Sequence, residues 1–379
     1  MAPVTTIITI ILYVLITIQL STIILALWRL KRPPKQANTA HPFISLIRPL
    51  CGIDEFEEET LLSSFQQDYP HYEILFCVAS PDDPIIPLVE KVMADYPSQQ
   101  AKLLIGDNAI SANPKVNNVA KGWQIAQSDW IAMTDSNLLL PADYLQTLIA
   151  TFDDRTGLVS TPAVGIRPTN FWGAVEAAML NTHQIRWQYL ADLVGAGFAQ
   201  GKTLFWRREV LENNGGLSAL GHEMAEDVAS TKIVRKAGLK VRLPPHPFPY
   251  PVGCRHFNAV WDRQLRWSRI RRFGFIWVFL PEIFVGSIPA LVCAIYLASI
   301  GVFSWFIPPL LLIGWYSVEW LMAKVMKWPH SLRDILAMLV RDLMLPVLWI
   351  GCWTGKGFVW RGNAVHVNKN LAAYQPERK

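Results

Sequence analysis

The chain has 379 residues, 51% of them hydrophobic and only 17% charged, with 16 tryptophans. Soluble domains carry roughly 25% charged residues and tryptophan is enriched at membrane interfaces, so an ordinary soluble protein is disfavoured; the length leaves room for one folded domain and a few membrane segments. A net charge of +5 is too small to suggest nucleic acid as a partner, and a basic surface facing anionic lipid headgroups is the simpler reading.

Residues 4–28 carry no charge and are dominated by Ile, Leu, Val and Thr. The run is long enough to span a bilayer. It has neither a charged leading region nor a small-residue cleavage site, so it reads as an uncleaved anchor. Arg29, Lys31, Arg32 and Lys35 follow at once. The positive-inside rule places that flank in the cytoplasm.

From residue 41 to about 273 the composition becomes soluble-like. Short apolar runs at 43–50 (FISLIRPL), 72–79 (YEILFCVA), 101–105 (AKLLI) and 130–134 (WIAMT) read as buried strands. Residues 57–67 and 86–95 between them have helical periodicity. This alternation predicts an α/β fold with a doubly wound, mostly parallel sheet. In such sheets the ligand sits beyond the carboxyl ends of the strands. After residue 273 the chain turns apolar again. Residues 275–284 read as interfacial, and 285–306 and 308–326 as spans. A third run, 335–353, has Arg341 and Asp342 at its centre. Charges at that depth are costly, so it is expected to be re-entrant or interfacial, leaving the basic tail (Lys356, Arg361, Lys369, Arg378, Lys379) in the cytoplasm. The expected divisions are an anchor over 1–40, a catalytic domain over 41–273 and a membrane region over 274–379.

Cys51, Cys77, Cys254, Cys293 and Cys352 include no C-x-x-C pair, so no zinc site is expected. Scattered in this way, they suit free thiols in a reducing compartment.

Four places carry candidate chemistry. One strand runs into Ser80-Pro81-Asp82-Asp83-Pro84 and another into Asp135-Ser136-Asn137. Either these acids form turns, or they converge at one sheet edge, where Asp135 could hold a divalent cation against a nucleotide-sugar diphosphate. Glu226-Asp227 precedes a helix-like stretch. Asp227 is either its N-cap or the base that a sugar-transfer reaction needs. Arg263-Gln264-Leu265-Arg266-Trp267 sets two arginines at i and i+3 on one helical face. They suit phosphate oxygens or a surface of anionic lipid.

In this order, Asp83 in SPDDP, Asp135 in TDSN, Asp227 in AEDVA and Arg263, Arg266 and Trp267 in RQLRW resemble the ceramide glucosyltransferase family of inverting, GT-A-fold membrane enzymes. RPLCG at 48–52, NPKVNN at 113–118 and THQIR at 182–186 add to the resemblance, which covers nearly the whole chain. It implies that Asp83 contacts the nucleotide and that Asp135 holds Mg²⁺ or Mn²⁺. Asp227 would be the general base. Arg263, Arg266 and Trp267 would bind the diphosphate and shape the acceptor site, with His183 in the acceptor region and Lys115 and Asn117 near the donor. The partners implied are a UDP-sugar, UDP-glucose above all, and a membrane lipid, ceramide above all, with a hopanoid or diacylglycerol as alternatives and a bacterial inner membrane as the expected location. The motif Asp135-Ser136-Asn137 is not a full D-x-D, so metal binding rests on one carboxylate. A non-enzymatic lipid-binding scaffold is the contrasting reading, and the intact aspartates and RQLRW argue against it.

Overall fold

The computed structural model describes residues 2–32, 41–223, 225–354, 357–360 and 363–366. Lys35 and the basic tail residues Lys356, Arg361, Lys369, Arg378 and Lys379 lie outside them. The elements run α1 (Ala2–Leu30), β1 (Ile44–Leu50), α2 (Glu57–Leu62), β2 (Tyr72–Val78), α3 (Ile86–Asp95), β3 (Ala101–Ile105), α4 (Pro114–Ile125), β4 (Trp130–Thr134) and α5 (Tyr144–Thr151). There follow β5 (Thr156–Ser160), β6 (Ala163–Pro168), α6 (Phe171–Ala178), π-helical turns over Met179–Ile185, α7 (Arg186–Leu193), β7 (Thr203–Arg207), α8 (Arg208–Glu212), α9 (Glu226–Lys236), β8 (Lys240–Arg242) and β9 (Phe248–Gly253). The remainder is α10 (Phe257–Gly274), α11 (Ile276–Phe279), α12 (Ser287–Ser299), α13 (Ile307–Val325), α14 (Leu332–Gly351), β10 (Gly357–Trp360) and β11 (Asn363–His366).

These elements form two compact units, each described by itself. One comprises residues 1–31, 165–190 and 252–355, and the other 32–164, 191–251 and 356–379.

The second unit holds a seven-stranded sheet in the order β3-β2-β1-β4-β7-β5-β8. β1, β2, β3 and β4 are mutually parallel. β7 runs antiparallel to both β4 and β5. The four apolar runs that read as strands are therefore the parallel half. β2 is buried along its whole length, as expected of a strand covered on both faces. β1 lies between β2 and β4, with Ile44 level with both Tyr72 and Trp130. Chain order reverses at β1, so the crevice beyond its carboxyl end is the binding edge of such a sheet. Beneath it lies a core of Ile47, Leu75, Cys77, Val119, Trp123 and Met133. Gly122 lets α4 approach the sheet: a Cβ there would lie 2.8 Å from Cys77 Sγ and 3.0 Å from Ile47.

The helix expected over 57–67 stops at Leu62. Its last turn is diverted by side chains. Ser63 Oγ donates to the Thr60 carbonyl at 2.7 Å, and the buried Arg48 guanidinium donates to that carbonyl at 3.0 Å and to Ser64 Oγ at 2.7 Å. Such local bonds compete with helix propagation.

In the first unit, α1 is apolar on every side. It exposes Ile7, Ile10, Tyr13 and Ile24 while burying Leu12, Leu15, Ile23 and Ala26, the pattern of a membrane helix. Among the described residues it is the one helix long and apolar enough to cross a bilayer by itself, and the bent pair Ile276–Phe284 and Ser287–Ser299 passes the same test together, with a 43° break. The expected span 285–306 contains α12, of 13 residues, and the expected span 308–326 overlaps α13, of 19 residues, which starts one residue earlier at Ile307. The Arg341–Asp342 pair of α14 does not face outward. Both side chains are buried. Arg341 pairs with Glu319 of α13 at 2.9 Å and with Asp342 at 2.7 Å, and donates to Thr182 Oγ1 at 2.7 Å. Asp342 accepts from the Ser287 N–H at 2.8 Å, at the start of α12. Glu319 accepts from Gln19 of α1 at 3.0 Å, and Gln19 accepts from Arg186 at 2.6 Å. Two cations and two anions thus balance inside the unit, which is how charges persist in apolar helices.

Candidate active site

The loop-to-helix segment 113–118 builds one wall of the site. Asn113 caps α4, accepting from the Lys115 and Val116 N–H groups at 2.9 and 3.3 Å, and Pro114 opens the helix where a missing N–H does no harm. Asn117 spends its carboxamide on the preceding loop, accepting from Ser111 N–H at 2.9 Å and donating to Ser111 O at 3.0 Å. Asn118 donates to the carbonyls of Leu50 and Cys77 at 3.3 and 2.9 Å, tying the ends of β1 and β2 together. With those ends fixed, Lys115 projects its ammonium onto Asp135 Oδ1 at 2.6 Å, Glu226 Oε1 at 2.7 Å and the Gly201 carbonyl at 2.6 Å. Burial disfavours that ammonium, but Asp135 and Glu226 outweigh burial and raise its pKa above the ordinary lysine value.

Asp135 follows β4 at the sheet edge. Its other oxygen is 3.4 Å from Lys202 Nζ, and its backbone N–H donates to Lys202 O at 3.1 Å. Lys202 in turn reaches Asn137 Oδ1 at 2.6 Å and lies over the Tyr250 ring at 4.4 Å. Arg48 braces the loop from beneath, donating to the carbonyls of Asp135 at 3.0 Å, Ser136 at 2.5 Å and Leu138 at 3.0 Å. Burial lowers the pKa of this guanidinium to about 10.

Asp227 is the second residue of α9, and the N-cap is Ala225, so Asp227 does not cap the helix. Its Oδ2 accepts from Gly201 N–H at 3.2 Å and its Oδ1 from Val228 N–H at 2.8 Å. Burial first, then the neighbouring Glu226 charge, pushes its pKa up to about 7, against the pull of Lys115 and the two N–H donors. Glu226 is itself held by Asn113 Nδ2 at 3.1 Å. Asp83 stands after β2, where it accepts from Gly52 N–H at 2.9 Å and Ile85 N–H at 3.0 Å; Gly52 has a φ of +69°. Asp83 thus organises the loops after β1 and β2.

Lys115, Asp135 and Asp227 are therefore gathered around Gly201, with Asn117 bonded instead to the loop before α4 and Asp83 on the same strand-end edge. His183, Arg263, Arg266 and Trp267 belong to the other unit. His183 lies in the π-helical turns and lines a small cavity with Gln264, Ser268, Arg271, Glu282 and Trp349. Arg263, Arg266 and Trp267 share α10, where Arg263 is bonded to the buried carboxylate of Glu176. Lys202 was not singled out from sequence, and Glu226 and Arg48 stood there only within motifs, with no role of their own. Glu226 had the one available signal, adjacency to Asp227.

Among the described residues, no three of His, Cys, Asp and Glu gather as a cation cage. The Asp135 side chain is 27% exposed at the sheet edge. A single accessible carboxylate, with substrate phosphate and water completing the shell, is how magnesium is commonly bound. Asp135 fits such an ion on condition that a diphosphate supplies further oxygens.

A family profile described as glycosyl transferase family 21 matches residues 9–373. Ceramide glucosyltransferase 3 of Caenorhabditis elegans is 26% identical over 350 residues, covering 90% of this chain and 76% of that protein. The ceramide glucosyltransferase of Komagataella phaffii is 31% identical over 192 residues, covering 45% of this chain and 38% of the relative. Among solved structures, the mannosyltransferase PcManGT from Pyrobaculum calidifontis, in complex with GDP-Man and Mn²⁺, superposes with a TM-score of 0.52 at 17% identity, covering 89% of this chain and 99% of that one. The shared architecture is the GT-A fold.

Proposed function

The chain belongs to glycosyl transferase family 21, and from that premise we propose that it transfers glucose from UDP-glucose to the hydroxyl of ceramide, inverting the anomeric centre. The observation that carries this reading is the division of labour between two carboxylates. Asp135 is ion-paired to Lys115 and Lys202 and serves the diphosphate side of the reaction. Asp227 has no ion pair among the described residues, its pKa is raised to about 7, and it can take a proton near neutral pH. A base poised near the working pH is the effective one.

In the proposed reaction Asp227 removes the proton of the lipid hydroxyl as its oxygen attacks the anomeric carbon from the face opposite the diphosphate. One displacement gives a β-linked product from an α-linked donor, without an enzyme nucleophile. Asp135, with phosphate oxygens, would hold Mg²⁺ or Mn²⁺, which supplies Lewis-acid stabilisation to the departing diphosphate. Asp83 meets the nucleotide and Lys115 the diphosphate, while Asn117 keeps the donor-side loop in place. Arg263, Arg266 and Trp267 serve the diphosphate and the mouth of the acceptor site, and His183 the acceptor itself. Residues 41–273 form the catalytic portion and face the cytoplasm. The anchor over 1–40 and the region over 274–379 hold it at the membrane in a multi-pass arrangement.

The test is a transfer assay with the full chain in detergent, offering UDP-glucose, UDP-galactose, UDP-N-acetylglucosamine and GDP-mannose against ceramide, diacylglycerol and a hopanoid. Glucosylceramide from UDP-glucose is the expected product. Transfer from the GDP-sugar alone, or to diacylglycerol or the hopanoid alone, would replace the donor or acceptor named here.

A further inference from the structure

Lys115 has a second property that nucleotide contact alone does not explain. All three of its N–H donors are already used, by Asp135 at 2.6 Å, Glu226 at 2.7 Å and the Gly201 carbonyl at 2.6 Å. One ammonium is thus shared between two carboxylates. The cradle around it is tight. A Cβ on Gly201 would sit 2.6 Å from Glu226 Oε1 and 3.3 Å from Lys115 Nζ, so a larger residue there would push the carboxylate and the ammonium aside. The other oxygen of Glu226 is held by Asn113 at 3.1 Å, and the other oxygen of Asp135 lies 3.4 Å from Lys202 Nζ. A divalent ion approaching Asp135 therefore meets an ammonium at each oxygen.

We propose that Lys115 is a built-in competitor of the divalent cation at Asp135, and that the nucleotide diphosphate relieves the competition. The proposal rests on the reading of Asp135 as the metal carboxylate. A diphosphate offers the lysine oxygen acceptors in place of Asp135, and a lysine ammonium, a compact charge on a flexible stem, can turn to them. Asp135 is then released to a cation that bridges to the same diphosphate. By linkage, metal and nucleotide must each tighten the binding of the other by the same factor. Metal and donor would consequently bind as a unit, and metal affinity without nucleotide would be kept low by the enzyme's own charge.

The experiment measures Mn²⁺ binding to the full chain in detergent by the paramagnetic resonance signal of free Mn²⁺, with and without UDP. The parent, Lys115→Gln, Lys115→Arg, Gly201→Ala and Asp135→Asn are compared after their melting temperatures show that they are folded. Without UDP, Lys115→Gln should bind Mn²⁺ on the order of tenfold more tightly than the parent, and UDP should add little further. Lys115→Arg, which keeps the charge, should behave as the parent. Gly201→Ala, which forces Glu226 and the ammonium aside, should also tighten Mn²⁺ binding, so the idea stays testable if Lys115→Gln does not fold. Mn²⁺ binding no tighter than the parent in Lys115→Gln and in Gly201→Ala would overturn the competition. An Asp135→Asn variant that binds Mn²⁺ like the parent, with UDP present, would instead remove the metal role of Asp135, a separate failure.

Discussion

Asp227 and Asp135 sit in one cluster yet behave differently, and the difference can be measured. An Asp227 that must be ionised to accept a proton, with a pKa of about 7, predicts that kcat falls roughly tenfold per unit as pH drops below about 7. Glu226→Gln removes one cause of the raised pKa and should move that acid limb to lower pH. A pH–rate profile of the two proteins checks both statements; an acid limb that does not move would mean that Glu226 does not act on the base. Linkage gives a second consequence. An Asp whose pKa is near 4 unfolded and about 7 folded binds more protons folded across that window, so its contribution to stability is lost as pH rises through it. Asp227→Asn cannot titrate. The melting temperature of the variant minus that of the parent should therefore increase from pH 4 to pH 7. The residue-level readings divide by the length of chain they depend on. The placement of Asp83, Asp135 and Asp227 beside the ends of elements was legible because that pattern is local. The bonds that Glu226, Lys202 and Arg48 make in the site were not, because their partners lie far away in sequence: Asn113 is 113 residues from Glu226, Asn137 is 65 from Lys202 and Asp135 is 87 from Arg48.

At the scale of elements, α14 illustrates why a charged pair in an apolar run is hard to place from sequence. Read alone, Arg341 and Asp342 argue against a full crossing and for a re-entrant or interfacial segment. In the structure they are answered by Glu319 of α13, Thr182 of the π-helical turns and the N-terminus of α12. Arg341→Met would leave Asp342 and Glu319 buried without their main cation. Removing one partner of a buried pair costs about 3–5 kcal/mol, so the variant should show a markedly lower melting temperature in detergent or fail to accumulate. Arg333→Met, at a 40% exposed side chain, should change little. A normal melting temperature in Arg341→Met would show that the network does not hold these helices. The strands were readable for the opposite reason: β4 coincides with the expected run, since burial leaves a continuous apolar signal, and β3, half-exposed at the sheet edge, coincides with its run as well. The π-helical turns around His183 carry no such periodicity, and the early stop of α2 involves Arg48, which reaches it from strand β1.

For the whole molecule, a GT-A fold shares its chain with a helix long and apolar enough to cross a bilayer. If the catalytic portion faces the cytoplasm, a protease added to sealed cytoplasm-out vesicles should cleave within 41–273, and protection of that stretch would reverse the orientation. The central claim is direct, base-assisted displacement at the anomeric carbon. It is tested most directly by nuclear magnetic resonance of the glycolipid formed from UDP-glucose, whose glucose is α-linked. The anomeric proton should report a β linkage, with product formation in Asp227→Asn reduced ~10²–10⁴-fold while UDP-glucose binding stays within a few-fold of the parent. An α-linked product, or near-parental turnover in Asp227→Asn, would contradict the account.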